Sequence, residues 1–513
     1  MSQVNLSNQD REERYSTLLN NAGAIRAICS AVESTLGPKG LDTMLVGAQG
    51  EVIITNDGVT ILEKMDVTHP AARLLVQVAR SQQSRVGDGT TTATVLAGAL
   101  VSEGVAQVIR GVPVSKVVHG MQLGVKRVVE DLLSRSRVIQ GLDDPLLHRV
   151  ALIAGREYED IAELVLDGAK CLGIEKLQDV KFSFADAVTA HEKAENEVFP
   201  GLLIGKKPLN STLEVPLHPF SILVLQDALE PEALDEEALS TETGFQKFME
   251  LRQQYLIQIE KLALLNIKLL VVGSGVDKEA EQYCSDLGIM VLQRVSYVDM
   301  QRICEHTAAK PVKRIALKKS NEELSAYLGR AEQLSYDEHL EKVRLSGGSG
   351  KAVITILVGA STSEVVGERA RIAKDAAASL QAAVRGGYLP GGGAAEIAAA
   401  YELDRYRETI KGMEGFGVSA VSEALSKPLA QIVINAGFNP LEKVEEVKTA
   451  QLTGRSDSIG INCDTGALID CLEQGIADPT LVKVHALKAA GEVAAAILRI
   501  HTVIKMKQFN EIE

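Results

Sequence analysis

The two ends of this 513-residue chain are patterned alike and its middle is not, which restricts the fold more than any single motif does. Over the first 145 residues the spacing is mostly helical: Leu18, Ala22, Ile25, Ile28, Val32 and Leu36 recur at threes and fours, on one helix face. Gly37-Pro38-Lys39-Gly40 then stops the helix. Short β-rich pieces at 43–46 and 51–55 lead to the turn Asn56-Asp57-Gly58, and helical patterns resume at about 70–84, 91–109 and 114–133. From about 220 to 310, the apolar runs SILVL (221–225), KLLVVG (268–273) and IMVLQRV (289–295) alternate with helical patterns, the signature of an α/β domain. Beyond AVITILVGA (352–360) a helical pattern runs from 364 to about 383, Gly391-Gly392-Gly393 interrupts it, and the reading is helical again to about 504. The ends therefore predict one discontinuous helical domain carrying an inserted α/β domain. A chain of this length holds roughly three domains on surface-to-volume grounds.

Composition narrows the function classes. A formal charge of -14 gives no electrostatic support for general binding to nucleic acid or anionic membrane. With no Trp and 4% aromatics, stacking platforms for single strands are not expected either. Cys29, Cys171, Cys284, Cys304, Cys463 and Cys471 are scattered, with no CxxC pair, which fits reduced thiols and offers no zinc site. The polar start MSQVNLSNQDREERY has no apolar h-region, and no uninterrupted apolar run approaches 18 residues, so a cytoplasmic protein is expected.

Four glycine-bearing turns lie in the helical ends and none in the insert. Gly87-Asp88-Gly89-Thr90-Thr91-Thr92 opens a helix. It reads as an N-cap or, since one Asp or Thr suffices for a cap and four oxygens are offered, as a site for phosphate and Mg²⁺ at the helix N-terminus. On the residues alone, Leu36–Gly40 reads as a helix stop, Thr55–Gly58 as an ordinary turn and Pro390–Gly393 as a linker opening a helix. Ser346-Gly347-Gly348-Ser349-Gly350-Lys351 imitates a phosphate-binding P-loop. It has Leu345 where the first glycine belongs and Ala352 where the Ser or Thr belongs, and it precedes a strand, so a flexible hairpin tip is expected there.

LGPKGLDTML (36–45), TNDGVTIL (55–62), HPAARLLVQVA (69–79), VGDGTTTATVLAG (86–98), LPGGGAAEIA (389–398) and ADPTLVKVHALKAAGEVAAAILRI (477–500) stand in the order found in chaperonins. Across the whole chain the wording resembles the thermosome and cytosolic (group II) branch. The resemblance implies a multidomain α plus α/β subunit. Its parts are a discontinuous equatorial ATPase domain (1–145 and 403–513), a small intermediate hinge domain (146–210 and 365–402), and an inserted α/β apical domain (211–364) that binds substrate. It also implies ATP and Mg²⁺ as ligands, unfolded client proteins as partners, and a homo- or hetero-oligomeric double ring.

Matching motif to motif, the resemblance implies Asp88 as the Mg²⁺ ligand, with Gly89, Thr90, Thr91 and Thr92 around the phosphates. Leu36, Gly37, Pro38 and Gly40 form the first nucleotide loop, Asn56 and Gly58 flank Asp57, and Gly392 turns beside the ribose. Asp478 and the loop at Asn462 match the ribose and base end. Asp57 and Asp375 match the carboxylates that orient and activate the attacking water; from its residues alone, Asp375 in RIAKDAAASL reads as a solvated helix carboxylate.

The stretch 229–262, with Phe245, Phe248, Met249, Leu256 and Ile259 among charges, reads either as a core helix or as the helical protrusion (near 231–262) that serves this branch as a built-in lid. The second reading implies closure without a separate co-chaperonin. Arg156 stands where the family has a phosphate-sensing lysine, and His501-Thr502 stands where an acidic pair is usual. These departures fit a bacterial lid-bearing member of the type called group III. Two other readings compete: a scaffold that binds partners without hydrolysing ATP, against which the retention of Asp57, Asp88 and Asp375 argues, and a small-molecule kinase, for which no second substrate signature exists.

Overall fold

A computed structural model of the chain describes residues 8–210, 218–232 and 241–504. Its contacts divide it into two compact units. One contains the described residues up to Leu166, Ile174–Ala185 and those from Arg371 on; the other contains Asp167–Gly173 and Asp186–Ala370.

The first unit is a helical bundle made from both ends of the chain. Its first helix, Asn8–Glu33, buries Leu18, Ala22, Ile25, Ile28 and Val32, the face that the spacing predicts. Helices Pro70–Val86, Thr90–Ile109 and Val114–Arg135 lie within two residues of their predicted positions. Thr90–Ile109 is the axis of the bundle, packed by Asn8–Glu33, Pro70–Val86, Glu414–Leu425 and the last helix, Thr480–Leu498. It is long and apolar enough to cross a membrane by composition, yet 67% of its most apolar window is buried inside the protein, as a helix apolar on all sides in a core should be.

Glycines let these helices approach closely. A Cβ on Gly120 would lie 2.0 Å from the Glu414 carbonyl oxygen and 2.9 Å from the Gly417 Cα, so Val114–Arg135 and Glu414–Leu425 touch backbone to backbone.

The reading fails between 455 and 480, where helix was expected. Ile459–Ile461 and Leu468–Asp470 form a hairpin, and Ala477–Pro479 pairs antiparallel with Tyr388–Pro390. Three-residue strands are too short to show a period of two, and the surrounding apolar residues blend into the helical pattern.

The second unit has a four-stranded sheet in the order Met290–Leu292, Ile267–Val272, Phe220–Leu225, Gly329–Ala331. The first three are parallel and the last is antiparallel. The parallel strands are almost wholly buried, which explains their unbroken apolar runs. The Ser346–Lys351 loop is not a hairpin tip: Lys342–Ser346 pairs with Gln333–Asp337 and Gly201–Ile204, whereas Thr355–Gly359 pairs with Val188–His191 and Glu197–Phe199. The loop is tied down, its Gly350 and Lys351 amides donating to the His306 and Glu305 carbonyls at 2.8 Å.

Helix Glu242–Leu264 is a core helix over its second half only. It buries Tyr255, Ile259 and Leu262 in the core of the second unit, but buries nothing before Tyr255, and Phe245 and Met249 are half exposed. Residues 233–240 of the expected protrusion lie outside the described residues.

The Gly120 crossing leaves no room for a methyl group. Gly120→Ala is expected to destabilise the protein by about 2–3 kcal/mol, seen as an earlier denaturant midpoint. Gly23→Ala, in a helix with open space around it, is expected to gain about 0.5–1 kcal/mol in the same assay.

Candidate functional site

The start of the Thr90–Ile109 helix is not capped by a side chain. Gly89 is the N-cap residue, at φ 75°, a left-handed conformation that favours glycine, and no side-chain oxygen accepts from the first turn. Asp88 turns away from that turn: Oδ1 accepts from the Gly89 amide at 2.6 Å and Oδ2 accepts from the Ser379 hydroxyl. The cap reading is thus replaced by a helix start whose first-turn amides receive no side-chain cap and lie beside the Asp88 carboxylate, an arrangement suited to an anion with its counter-ion.

Two more carboxylates reach the corner. Asp57 caps helix Gly58–Lys64 through Oδ2, which accepts from the Thr60 amide at 3.0 Å and its hydroxyl at 2.6 Å, while Oδ1 accepts from the Thr90 hydroxyl at 3.2 Å. Asp375 lies on helix Ser363–Gly386 and is buried rather than solvated. Arg371, one turn earlier, places Nη1 2.8 Å from Asp375 Oδ2 and 3.9 Å from Asp57 Oδ1. Burial holds the Asp375 carboxyl well above the usual range; Arg371 opposes this, the charges of Asp88 and Asp57 add to it, and Arg156 lowers it. Arg156 is therefore within electrostatic reach of the site, on a turn where it and Glu157 both adopt positive φ, 54° and 62°. Asp88 is also pushed up by burial, against its bonds from Ser379 and Gly89, with Asp478 and Asp57 adding to the shift.

The donor set fits a divalent ion held partly by phosphate oxygens. Asp375 has Arg371 at 2.8 Å, and Asp57 has Arg371 at 3.9 Å beside Thr60 and Thr90; Asp88 has a hydroxyl and an amide and, among the described residues, no cation partner. Among the described residues no three His, Cys, Asp or Glu side chains form a metal cage. A hard cation bound by one carboxylate completes its shell from phosphate and water.

The remaining predicted residues lie on turns of the same unit. Leu36–Gly40 ends the first helix, with Gly37 at φ 85° packed on Ile432, and Asn435 Nδ2 donates to the carbonyls of Glu33 and Leu36 at 2.8 Å each. Lys39 pairs with Asp464 at 2.5 Å, joining that loop to the turn at Asn462. Asn462 spends Oδ1 on that turn, accepting from the amides of Asp464 and Thr465. A Cβ on Gly58 would lie 2.6 Å from the Thr91 hydroxyl, so Asn56–Gly58 abuts the threonine run. Gly392 opens toward Cys471 and Ile476, and Gly391 lies against Asp478.

Several residues were missed. Arg371 and Ser379 lie one turn before and one turn after the expected Asp375 on one helix face, a signal that the sequence does carry. Gln82 is buried; its Nε2 donates to the carbonyls of Asp88 and Val482, so its Oε1 must accept, and His485 Nδ1 lies 2.8 Å from it. Lys483 and Glu396 form a buried pair whose only signal is a charge inside each of the runs TLVKVHAL and AAEIAAA.

Residues 28–508 match the model of the TCP-1/cpn60 chaperonin family. A thermosome subunit of Pyrococcus abyssi is 31% identical over 510 residues, spanning 96% of this chain and 91% of that protein. The thermosome subunit beta of Archaeoglobus fulgidus is 32% identical over 503 residues, spanning 95% and 91%. A crystal structure of a group III chaperonin in the open state superposes with a TM-score of 0.88 at 44% identity, covering 96% of this chain and all of that one.

The raised carboxyl of Asp375 predicts a pH effect on the protein free of nucleotide and metal. Below about pH 3.9 this group is protonated both folded and unfolded; as pH rises, the unfolded chain ionises first and folded stability is lost. Asp375→Asn escapes that loss, so its stability advantage over the parent is expected to widen from pH 4 to pH 7 in denaturant titrations.

Proposed function

The chain belongs to the TCP-1/cpn60 chaperonin family, and from that premise we propose that it is an ATP-driven protein-folding machine whose turnover site is the corner formed by Asp57, Asp88 and Asp375. The observation that carries this reading is the convergence of those three carboxylates, Arg371 and an uncapped helix start within one compact unit. Asp88 holds Mg²⁺, which neutralises triphosphate charge. Thr90–Thr92 and the free amides receive phosphate oxygens. Asp57 and Asp375 orient the attacking water; burial makes the Asp375 carboxylate a stronger base for the water's proton, and Arg371 opposes that shift by favouring the ionised form. Arg156 senses the terminal phosphate, with the planar fork of a guanidinium in place of a lysine's point charge. Leu36–Gly40, Asn56, Gly58 and Gly392 shape the walls, and Asn462 and Asp478 close the base and ribose end.

The three-domain plan, with equatorial residues 1–145 and 403–513, intermediate residues 146–210 and 365–402, and apical residues 211–364, places Asp375 in the hinge. Hydrolysis is thereby coupled to closure. The half-anchored helix Glu242–Leu264 supports a built-in lid, with Phe245 and Met249 available to partners, so that cytoplasmic rings enclose unfolded clients without a separate co-chaperonin.

Particle imaging of the purified protein alone is expected to give closed double rings only with ATP and aluminium fluoride. Rings indifferent to nucleotide would favour the scaffold, and absence of rings would refute the reading. In ATPase assays Asp375→Ala is expected to lose about 10²-fold or more of turnover with ATP affinity kept, whereas Asp88→Ala weakens Mg-ATP binding itself.

A further inference from the structure

The buried pair behind the site has an arrangement that packing alone does not require. Lys483, in the first turn of helix Thr480–Leu498, places Nζ 2.7 and 2.9 Å from the two oxygens of Glu396 and 2.8 Å from Asp478 Oδ2. An ammonium has three protons to donate, so these three oxygens fix its orientation completely. Side-chain exposures are 6% for Lys483 and 4% for Glu396 but 32% for Asp478, so the chain of charges runs from a sealed interior to an accessible end. Burial disfavours the lysine's charge, but Asp478 and Glu396 outweigh it and the ammonium is held charged.

The accessible end is positioned as well as charged. Asp478 sits on strand Ala477–Pro479 opposite Leu389, and its Oδ1 lies 3.1 Å from where Gly391 would carry a Cβ. The glycine triplet bends around that oxygen without covering it. With Oδ2 committed to Lys483, Oδ1 is left as a fixed acceptor, and among the described residues no hydrogen bond occupies it. It is also within electrostatic reach of Asp88.

We infer that Lys483, pinned by Glu396, is a positioning residue that presents Asp478 Oδ1 as a hydroxyl acceptor and so gives the site its preference for ribonucleotides over nucleotides lacking ribose hydroxyls. This rests on the proposed placement of Asp478 at the ribose. A site built to accept a hydroxyl rejects an analogue without one because its own polar group is then left unpaired.

The test is competition binding of ATP and 2′,3′-dideoxy-ATP, with Mg²⁺, to the full-length protein. The parent is expected to prefer ATP by roughly 10- to 100-fold. Lys483→Met strands the buried Glu396 carboxylate and threatens the fold. The paired variant Glu396→Leu with Lys483→Met replaces the ion pair with apolar groups of similar volume, and ring assembly reports that it is folded. The preference should fall below about 3-fold in that pair, with dideoxy-ATP binding unchanged. A purely structural role for the lysine would weaken both ligands alike and leave the ratio in place. Asp478→Asn separates the two layers of the inference. If it keeps the parent ratio, the ribose placement is wrong and the inference falls with it; if it abolishes the ratio while the paired variant retains it, Asp478 reads ribose without Lys483 and only the positioning role is overturned.

Discussion

A carboxylate taken out of water needs a cation, a set of donors or a proton, and the first unit gathers Asp57, Asp88, Asp375 and Asp478 into one electrostatic neighbourhood. Each is satisfied differently. Asp375 leans on Arg371, Asp478 on Lys483, and Asp57 on the amide and hydroxyls around it and on Arg371 at 3.9 Å. Asp88 receives one hydroxyl and one amide and no cation. The division of labour proposed for the site follows from that inequality, because the carboxylate left short of positive charge is the one a metal ion completes.

The same need shapes the helices. Ser363–Gly386 delivers Arg371, Asp375 and Ser379 from a single face, so one rigid element supplies a cation, a carboxylate and a hydroxyl in fixed relation. The Thr90–Ile109 helix can afford an uncapped start because its apolar body is anchored on all sides by the bundle. Stability comes from that packing, and the terminus is free for chemistry.

Much of this was legible in the sequence, and what was not has physical reasons. The helical face of Leu18 to Val32 and the buried strands of the insert carry strong periodic or apolar signals, and both appear as read. The hairpin at 459–470 carries none, since three residues of strand give one and a half pleats. At the candidate site, short motifs of glycine and aspartate drew attention to Asp57 and Asp88, which the fold brings together. The partners Gln82 and Lys483 stayed hidden because each sits 87 to 403 residues from a group that it bonds, and a single sequence holds no record of such pairs. Asn462 illustrates the opposite limit: the motif located its turn, and only coordinates reveal that its side-chain oxygen is spent holding that turn.

The first unit is built from both termini, and this carries a consequence for biosynthesis. Gln82 bonds Val482 across 400 residues of chain, so the corner around Asp88 stays incomplete until the last helix has left the ribosome. The insert, whose residues run without interruption from Asp186 to Ala370, has all its strands available well before that. A translating chain therefore acquires its α/β module first and the corner around Asp88 last, so those carboxylates are gathered only once both ends of the first unit are present.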